Sequence, residues 1–375
     1  MRIAHIITGL DAGGTELFLE HLVEAMDSAG FESLIISLTG LGTVGHRMQS
    51  HGRLVQAVGA GWNPRDFFNL FGLRRILRHY HPALIQGWMY HANLAASLAG
   101  YPSGKRRPVI WNIRHSLDQW TRETAGLRMV VRMGGLFSGT ADCIVFNSQC
   151  AALQHERTGY PRSKAVVIHN GFDLKKFRPA ETIRASMRSQ HGIPPDGIVF
   201  GTFSRFHPLK DHANLLRAAA IVANKHHDAI FLLAGRGVSS GNQQLMDQVR
   251  MLHLENRVIL LGERSDIWDV MNAVDIYVCP SSSEAFPNSV GEAMCCGVPC
   301  VVTDVGDSAL LVAETGIVVP PSSPERLASG MLQMIQSGPA TRTSLGSAAR
   351  LRMTQNFSKE TVVQRYAELY SAHAS

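Results

Sequence analysis

Four residues are placed where they could do chemistry together. Glu284 and Glu292 lie eight positions apart in SSSEAFPNSVGE, residues 281–292. The preceding IYVCP reads as a strand ending at Pro280, and the spacing predicts a helix from near Pro287. One carboxylate therefore precedes the helix and the other lies inside it, which separates them along a bound ligand. One can accept hydrogen bonds from sugar hydroxyls and the other from a ribose. The free N–H groups and positive dipole end of such a helix seat a diphosphate, which makes Phe286, Pro287, Asn288 and Ser289 candidate contacts. In isolation, a capping glutamate beside a solvent-facing helical one accounts for the pair equally well.

The two cations come from GTFSRFHPLKDH, residues 201–212, where a strand gives way to a loop carrying Arg205 and Lys210. Arginine offers a bidentate fork for phosphate oxygens and lysine a mobile point charge. Together they could stabilise a diphosphate that gains negative charge as its bond to a sugar breaks. Surface solvation is the plainer reading of the loop, and His207 and His212 read as residues that structure it. Two further loops follow strands in the same sense. LLAGRG puts Gly235, and LLGERSDI puts Asp266, where a base or phosphates would be contacted.

The elements needed to position these residues recur along the chain. Short β-branched runs alternate with helical stretches: Ile3–Thr8, Leu34–Leu38, Arg53–Val58, Ala83–Gln86, Val109–Ile113, Cys143–Asn147 and Ala165–His169. The pattern restarts at Ile198–Phe203 and continues with Ile230–Ala234, Val258–Leu261, Ile276–Cys279, Pro299–Thr303 and Ile317–Val319. Apolar runs alternating with helices predict parallel sheets buried on both faces. At 375 residues two domains are expected, with the polar, proline-bearing stretch 170–197 as the linker region. Residues 358–371 carry apolar spacing at Val362, Val363, Tyr366, Leu369 and Tyr370, a helix with one buried face.

Composition narrows the class. Hydrophobic residues make up 45% and charged ones 18%, as in soluble globular proteins. The apolar start of MRIAHIITGL is too short for a signal peptide or a spanning helix, and no later run reaches about 18 apolar residues. The six cysteines sit in apolar contexts, three of them in EAMCCGVPC, which predicts buried free thiols in a reducing cytoplasm. Cys296 and Cys300 could join histidines at a metal, but no paired C-x-x-C supports it. Residues 1–185 carry 21 Lys and Arg against 13 acids, whereas the remainder carries 15 against 17. The first half is expected to meet something anionic. No nucleic-acid module is recognisable, and the absence of G-x-G-x-x-G after the first strand argues against a dinucleotide-dependent dehydrogenase.

With these motifs in hand, the chain resembles the retaining glycosyltransferases of the family 4 type, with the GT-B fold, as found in bacterial polysaccharide and lipopolysaccharide synthesis. The resemblance covers nearly the whole chain and is most specific in EAFPNSVGEAMCCGVPCVVTDVG, similar to the family's E-x7-E motif. It implies two Rossmann-like domains facing across a cleft. The N-terminal acceptor domain is expected at 1–178 plus 358–375, its terminal helix crossing back, and the nucleotide-sugar domain at 179–357. It implies that Glu284 contacts the donor sugar, Glu292 the ribose, and Arg205 and Lys210 the diphosphate. AGGTE, residues 12–16, resembles the family's glycine loop and nominates Gly13 and Gly14; IRHS, residues 113–116, nominates His115 near the reacting sugar. One departure stands out. Where relatives read G-G-x-x-E this chain reads VGDSALLV, with an apolar residue near Leu310 in place of the usual glutamate and Asp307 as a conceivable substitute.

The implied reaction moves a sugar from a nucleotide donor, a UDP- or GDP-sugar, to a glycan or polyprenyl-diphosphate-linked acceptor hydroxyl. No nucleophilic carboxylate and no D-x-D metal pair announces itself, so a front-face, metal-independent displacement without cofactor is expected. A nucleotide-sugar 2-epimerase of the same fold and a non-catalytic sugar-nucleotide-binding protein are the competing readings. Trp120–Phe137 mixes Arg122, Arg128 and Arg132 with apolar residues, and Arg74, Arg75, Arg78, Lys105, Arg106 and Arg107 add basic patches. Such a helix can lie on an anionic membrane surface, or be a core helix with solvated arginines. His91 in GWMYHANL could face the acceptor pocket, but a packed histidine is the plainer reading.

Overall fold

The computed structural model describes residues 1–11, 13–59, 70–100, 107–118, 120 and 123–374. They form two compact units, Met1–Asn170 with Glu360–Ser375, and Gly171–Lys359. The first unit contains β1 Arg2–Ile7, β2 Glu32–Ser37, β3 Leu54–Ala57, β4 Leu84–Trp88, β5 Val109–Ile113, β6 Cys143–Phe146 and β7 Ala165–Val167. The second contains β8 Ile198–Phe203, β9 Ala229–Ala234, β10 Val258–Leu260, β11 Ile276–Cys279, β12 Cys300–Thr303 and β13 Gly316–Val319. Each expected strand is present, with its ends moved by a residue or two.

Both sheets are parallel throughout. Their orders are β3-β2-β1-β4-β5-β6-β7 and β10-β9-β8-β11-β12-β13. In each, the winding reverses beside the first strand, between β1 and β4 and again between β8 and β11. Loops leaving the carboxyl ends at such a switch point diverge and leave a crevice for ligand.

The strand periodicity of two distributes side chains to both faces. In the first sheet Ile3, Ile7 and Ile35 meet Leu19 and Leu22 of the helix Gly14–Ser28, together with Tyr366 and Tyr370 of the terminal helix Lys359–Ala374. Ala4, Ile6 and Ile36 meet the opposite layer, formed by the helices Leu70–Tyr80, Met89–Gly100 and Ala125–Phe137. The terminal helix therefore returns to the first unit. Tyr366 accepts a hydrogen bond from Asn112 Nδ2 at 2.8 Å, and Tyr370 donates to Gln86.

The stretch read as a linker is instead built into the second unit. Its helix Glu181–Gln190 presents Arg184 and Arg188 to Asp275, both at 2.5 Å. Arg188 also donates to the carbonyls of Ala273, Pro195 and Gly197 at 3.1, 2.7 and 3.1 Å. A buried guanidinium with its donors satisfied is a packing element, not a tether. All six cysteines are free thiols, five buried and Cys150 half-buried against Asp118.

Candidate functional site

Lys210 and Glu284 come from the two loops that leave β8 and β11, on either side of the switch point in the second sheet. Chain geometry fixes Lys210 tightly. His207 accepts from the Leu209 amide at 3.2 Å and starts a single 3₁₀ turn, Pro208–Lys210. Asp211 follows in the left-handed region and caps the helix His212–Ala223 through the Asn214 amide. The lysine is thus held between a turn and a helix start, and its Nζ lies 2.5 Å from Glu284 Oε1. Ser281 donates to the same carboxylate oxygen at 2.8 Å. Thr303, at the end of β12, donates to the Ser281 carbonyl at 2.6 Å, and the Ser282 amide donates to Leu209 O at 2.9 Å. Arg205, in the same loop as Lys210, is exposed and has no ion-pair partner among the described residues. The readings of His207 and His212 hold: the first caps the turn, and the second is buried, its pKa lowered to about 4 by desolvation.

The helix after Glu284 runs Asn288–Cys295, with Pro287 as its extended cap residue. Pro287 is buried, Asn288 exposed and Ser289 half-buried. Phe286 is committed to the core against Phe172 and Phe357, with ring centroids at 6.2 and 5.8 Å, so its side chain anchors the turn. Gly291 leaves room for the Phe172 ring to press on the helix, where a Cβ would lie 2.2 Å from it. Glu292 lies inside this helix and is half-buried. Burial pushes its carboxyl up to about 7, opposed by Lys176, whose ammonium sits 3.8 Å over the Trp268 ring.

Two glycines let the strand-end loops touch. Gly235 after β9 has φ +144°, and a Cβ there would fall 2.1 Å from the Ser204 carbonyl. Gly306 in VGD has φ +54°, and a Cβ would fall 2.2 Å from the Glu284 carbonyl. The divergent VGDSALLV loop therefore supports Glu284 directly through its backbone, with the Asp307 amide bonded to Ala285 O at 3.1 Å. Asp266 is held by Arg264 in a two-pronged pair at 2.8 and 2.5 Å, which lowers its pKa.

The remaining nominated residues belong to the first unit. Gly13 is the extended residue before the helix Gly14–Ser28, and Glu16 folds back so that a Cβ on Gly13 would meet its carboxylate at 2.3 Å. His115 stands just beyond β5, beside Tyr90 and Glu123. Ala12, Lys105, Arg106 and Arg122 lie outside the described residues. Sequence reasoning passed over Ser281, Tyr90 and His155. Ser281 had a signal, being a hydroxyl at a strand end three residues before Glu284; the other two had none. No group of three or more His, Cys, Asp or Glu able to hold a metal ion occurs among the described residues.

Comparison with known proteins agrees with this fold. Residues 12–176 match the model for Glycosyltransferase Family 4, and residues 183–352 the model for Glycosyl transferases group 1. EpsF of Bacillus subtilis (strain 168) is 26% identical over 323 residues, covering 81% of this chain and 79% of that protein. The UDP-Gal:alpha-D-GlcNAc-diphosphoundecaprenol alpha-1,3-galactosyltransferase of Escherichia coli is 32% identical over 151 residues, 40% of this chain and 39% of that one. The crystal structure of Anabaena Alr3699/HepE in complex with UDP has a TM-score of 0.87 at 25% identity, covering 99% of this chain and 100% of that chain. A complex of the same protein with UDP-glucose has a TM-score of 0.83. The chain belongs to the family 4 type of glycosyltransferases and has their GT-B fold.

Proposed function

We propose that the protein transfers a sugar from a nucleotide-sugar donor to the hydroxyl of a glycan or lipid-diphosphate-linked acceptor, with retention at the anomeric carbon. The observation that carries this reading is the Lys210–Glu284 pair, held at the sheet's switch point beside the uncommitted Arg205. Paired, the two side chains neutralise each other. A donor inserted there takes both, its diphosphate drawing Lys210 and its sugar hydroxyls donating to Glu284. The Alr3699/HepE complexes with UDP and UDP-glucose favour a UDP-sugar.

In the reaction the bond from the anomeric carbon to the diphosphate oxygen breaks, and the acceptor oxygen bonds to that carbon from the same face. The acceptor proton passes to the departing diphosphate. Arg205 and Lys210 stabilise the growing negative charge in place of a divalent cation, Glu292 binds the ribose, and His115 orients the reacting groups. The name of the Escherichia coli relative, with its diphosphoundecaprenol-linked acceptor, favours a lipid-linked acceptor.

A panel of UDP- and GDP-sugars tested for thermal stabilisation identifies the donor, since a ligand of the native state raises the unfolding midpoint with concentration. Lys210→Ala should lower turnover with that donor roughly 10²–10³-fold. Near-normal turnover would remove Lys210 from the mechanism.

A further inference from the structure

Beyond the carboxyl ends of β4, β5 and β6 a chain of polar contacts runs into the first unit, hydrogen-bonded from His115 inward. Glu123 Oε1 lies 3.4 Å from His115 Nε2, and His115 Nδ1 lies 3.3 Å from the Tyr90 hydroxyl. That hydroxyl is 2.8 Å from His155 Nε2, and His155 Nδ1 is 2.7 Å from the Ala151 carbonyl. Tyr90 and His155 are buried, the latter boxed by Phe146 and Tyr160 at 5.3 and 5.1 Å between ring centroids.

The polarity of this chain is fixed from its buried end. A carbonyl can only accept, so the proton of His155 is on Nδ1. Desolvation keeps that ring neutral, its pKa lowered to about 4, and its Nε2 therefore presents a lone pair. Tyr90 must donate to it. The phenol has one proton, so its oxygen can only accept from His115, whose Nδ1 must carry a hydrogen.

We propose that Tyr90 and His155 are positioning residues that keep a proton on His115 Nδ1, making Nε2 the nitrogen that gains and loses a proton and meets a sugar hydroxyl. This rests on the reading of His115 as the histidine at the reacting sugar. It is the reverse of the tautomer favoured by histidine in water, and the partner of one ring nitrogen decides the state of the other. The groups facing the His115 ring are Tyr90, Glu123, Asp118 and, through Tyr90, His155. Burial lowers the His115 pKa, while Glu123 and Asp118 oppose that shift. Protonated, His115 donates Nε2–H to Glu123. Neutral, it sets a lone pair against a carboxylate, an arrangement that a ligand hydroxyl relieves by donating to either.

Nitrogen-15 NMR of the protein reads the tautomer directly. At a pH where His115 is neutral, its Nδ1 should show the pyrrole-type shift and its Nε2 the pyridine-type shift. Tyr90→Phe should return the ring to Nε2–H, shift the acid limb of the kcat profile and lower kcat about tenfold, with donor KM changed less than about twofold. His155→Phe, which removes the acceptor that orients the phenol, should do the same. A wild-type ring protonated on Nε2, or a Tyr90→Phe ring still protonated on Nδ1, overturns the proposal whatever the activity. The wild-type spectrum decides even where a variant fails to fold. Should His115→Ala instead keep normal turnover, the placement of His115 at the sugar fails while the tautomer assignment stands.

Discussion

Glu292 shows how one side chain couples recognition to stability. Its carboxyl titrates near 4.5 when exposed and near 7 here, because burial disfavours its charge more than Lys176 restores it. The folded chain therefore holds this proton more tightly than the unfolded chain. The stability this confers is fully present below about pH 4.5 and is lost as pH climbs through 7. Glu292→Gln should be more stable than wild type by on the order of 1–2 kcal/mol at pH 8, with the gap closing towards pH 4.5. A gap independent of pH, measured by denaturant unfolding, would mean that the carboxyl is not desolvated. Glu292 was legible in the sequence because its spacing from Glu284 is local. Tyr90 and His155 were not, since a phenol and an imidazole 65 residues apart become partners only through the sheet.

At the scale of single elements, the helix Ala125–Phe137 has an uncovered apolar side. Val131, Gly134 and Gly135 are buried, whereas Met129 and Leu136 are 67% and 79% exposed, with Met133 and Phe137 also open. Arg128 and Arg132 flank this stripe one turn apart. The helix Met89–Gly100 packs beside it and the helix Leu70–Tyr80 packs on that one in turn; they contribute exposed Leu98 and Phe71 with Arg74, Arg75 and Arg78, and none of the three helices carries an acid. No helix among the described residues is long and apolar enough to cross a membrane. Positive charge around an apolar stripe suits contact with an anionic lipid surface. Sedimentation with phosphatidylglycerol vesicles should retain the wild type, and Arg128→Glu with Arg132→Glu should weaken binding on the order of 10–100-fold. Equal sedimentation of both proteins would rule this helix out as the contact. The period of the helix was readable from its apolar residues; which of them stayed uncovered depended on the neighbouring helices.

For the whole molecule, the terminal helix is the element whose placement matters most to the first unit. Val362, Tyr366 and Tyr370 complete a core that residues 1–170 leave open, and the two hydroxyls engage Asn112 and Gln86 in the sheet interior. Tyr366→Ala should cost about 3–5 kcal/mol. The loss should fall on the first unit: amide exchange should accelerate in β4 and β5 and stay near wild type in β8 and β11. Equal acceleration in both sheets would show the two units to unfold as one.

The sequence by itself determined the thirteen strands found among the described residues, the two-sheet plan and the carboxylate and cation motifs, because each depends on residues close together in the chain. Apolar runs such as Ile198–Phe203 are buried on both faces wherever they stand, and E-x7-E carries its own geometry. Tertiary structure alone decided what those residues meet. It joined Arg188 to Asp275 across 87 positions, which turned an apparent linker into core. It set Gly306 against the Glu284 carbonyl, and it gave His115 its partners. The Arg188–Asp275 and Tyr90–His115 contacts are polar ones between residues far apart in sequence, made only once the sheets have formed, and the Gly306 approach needs the same packing.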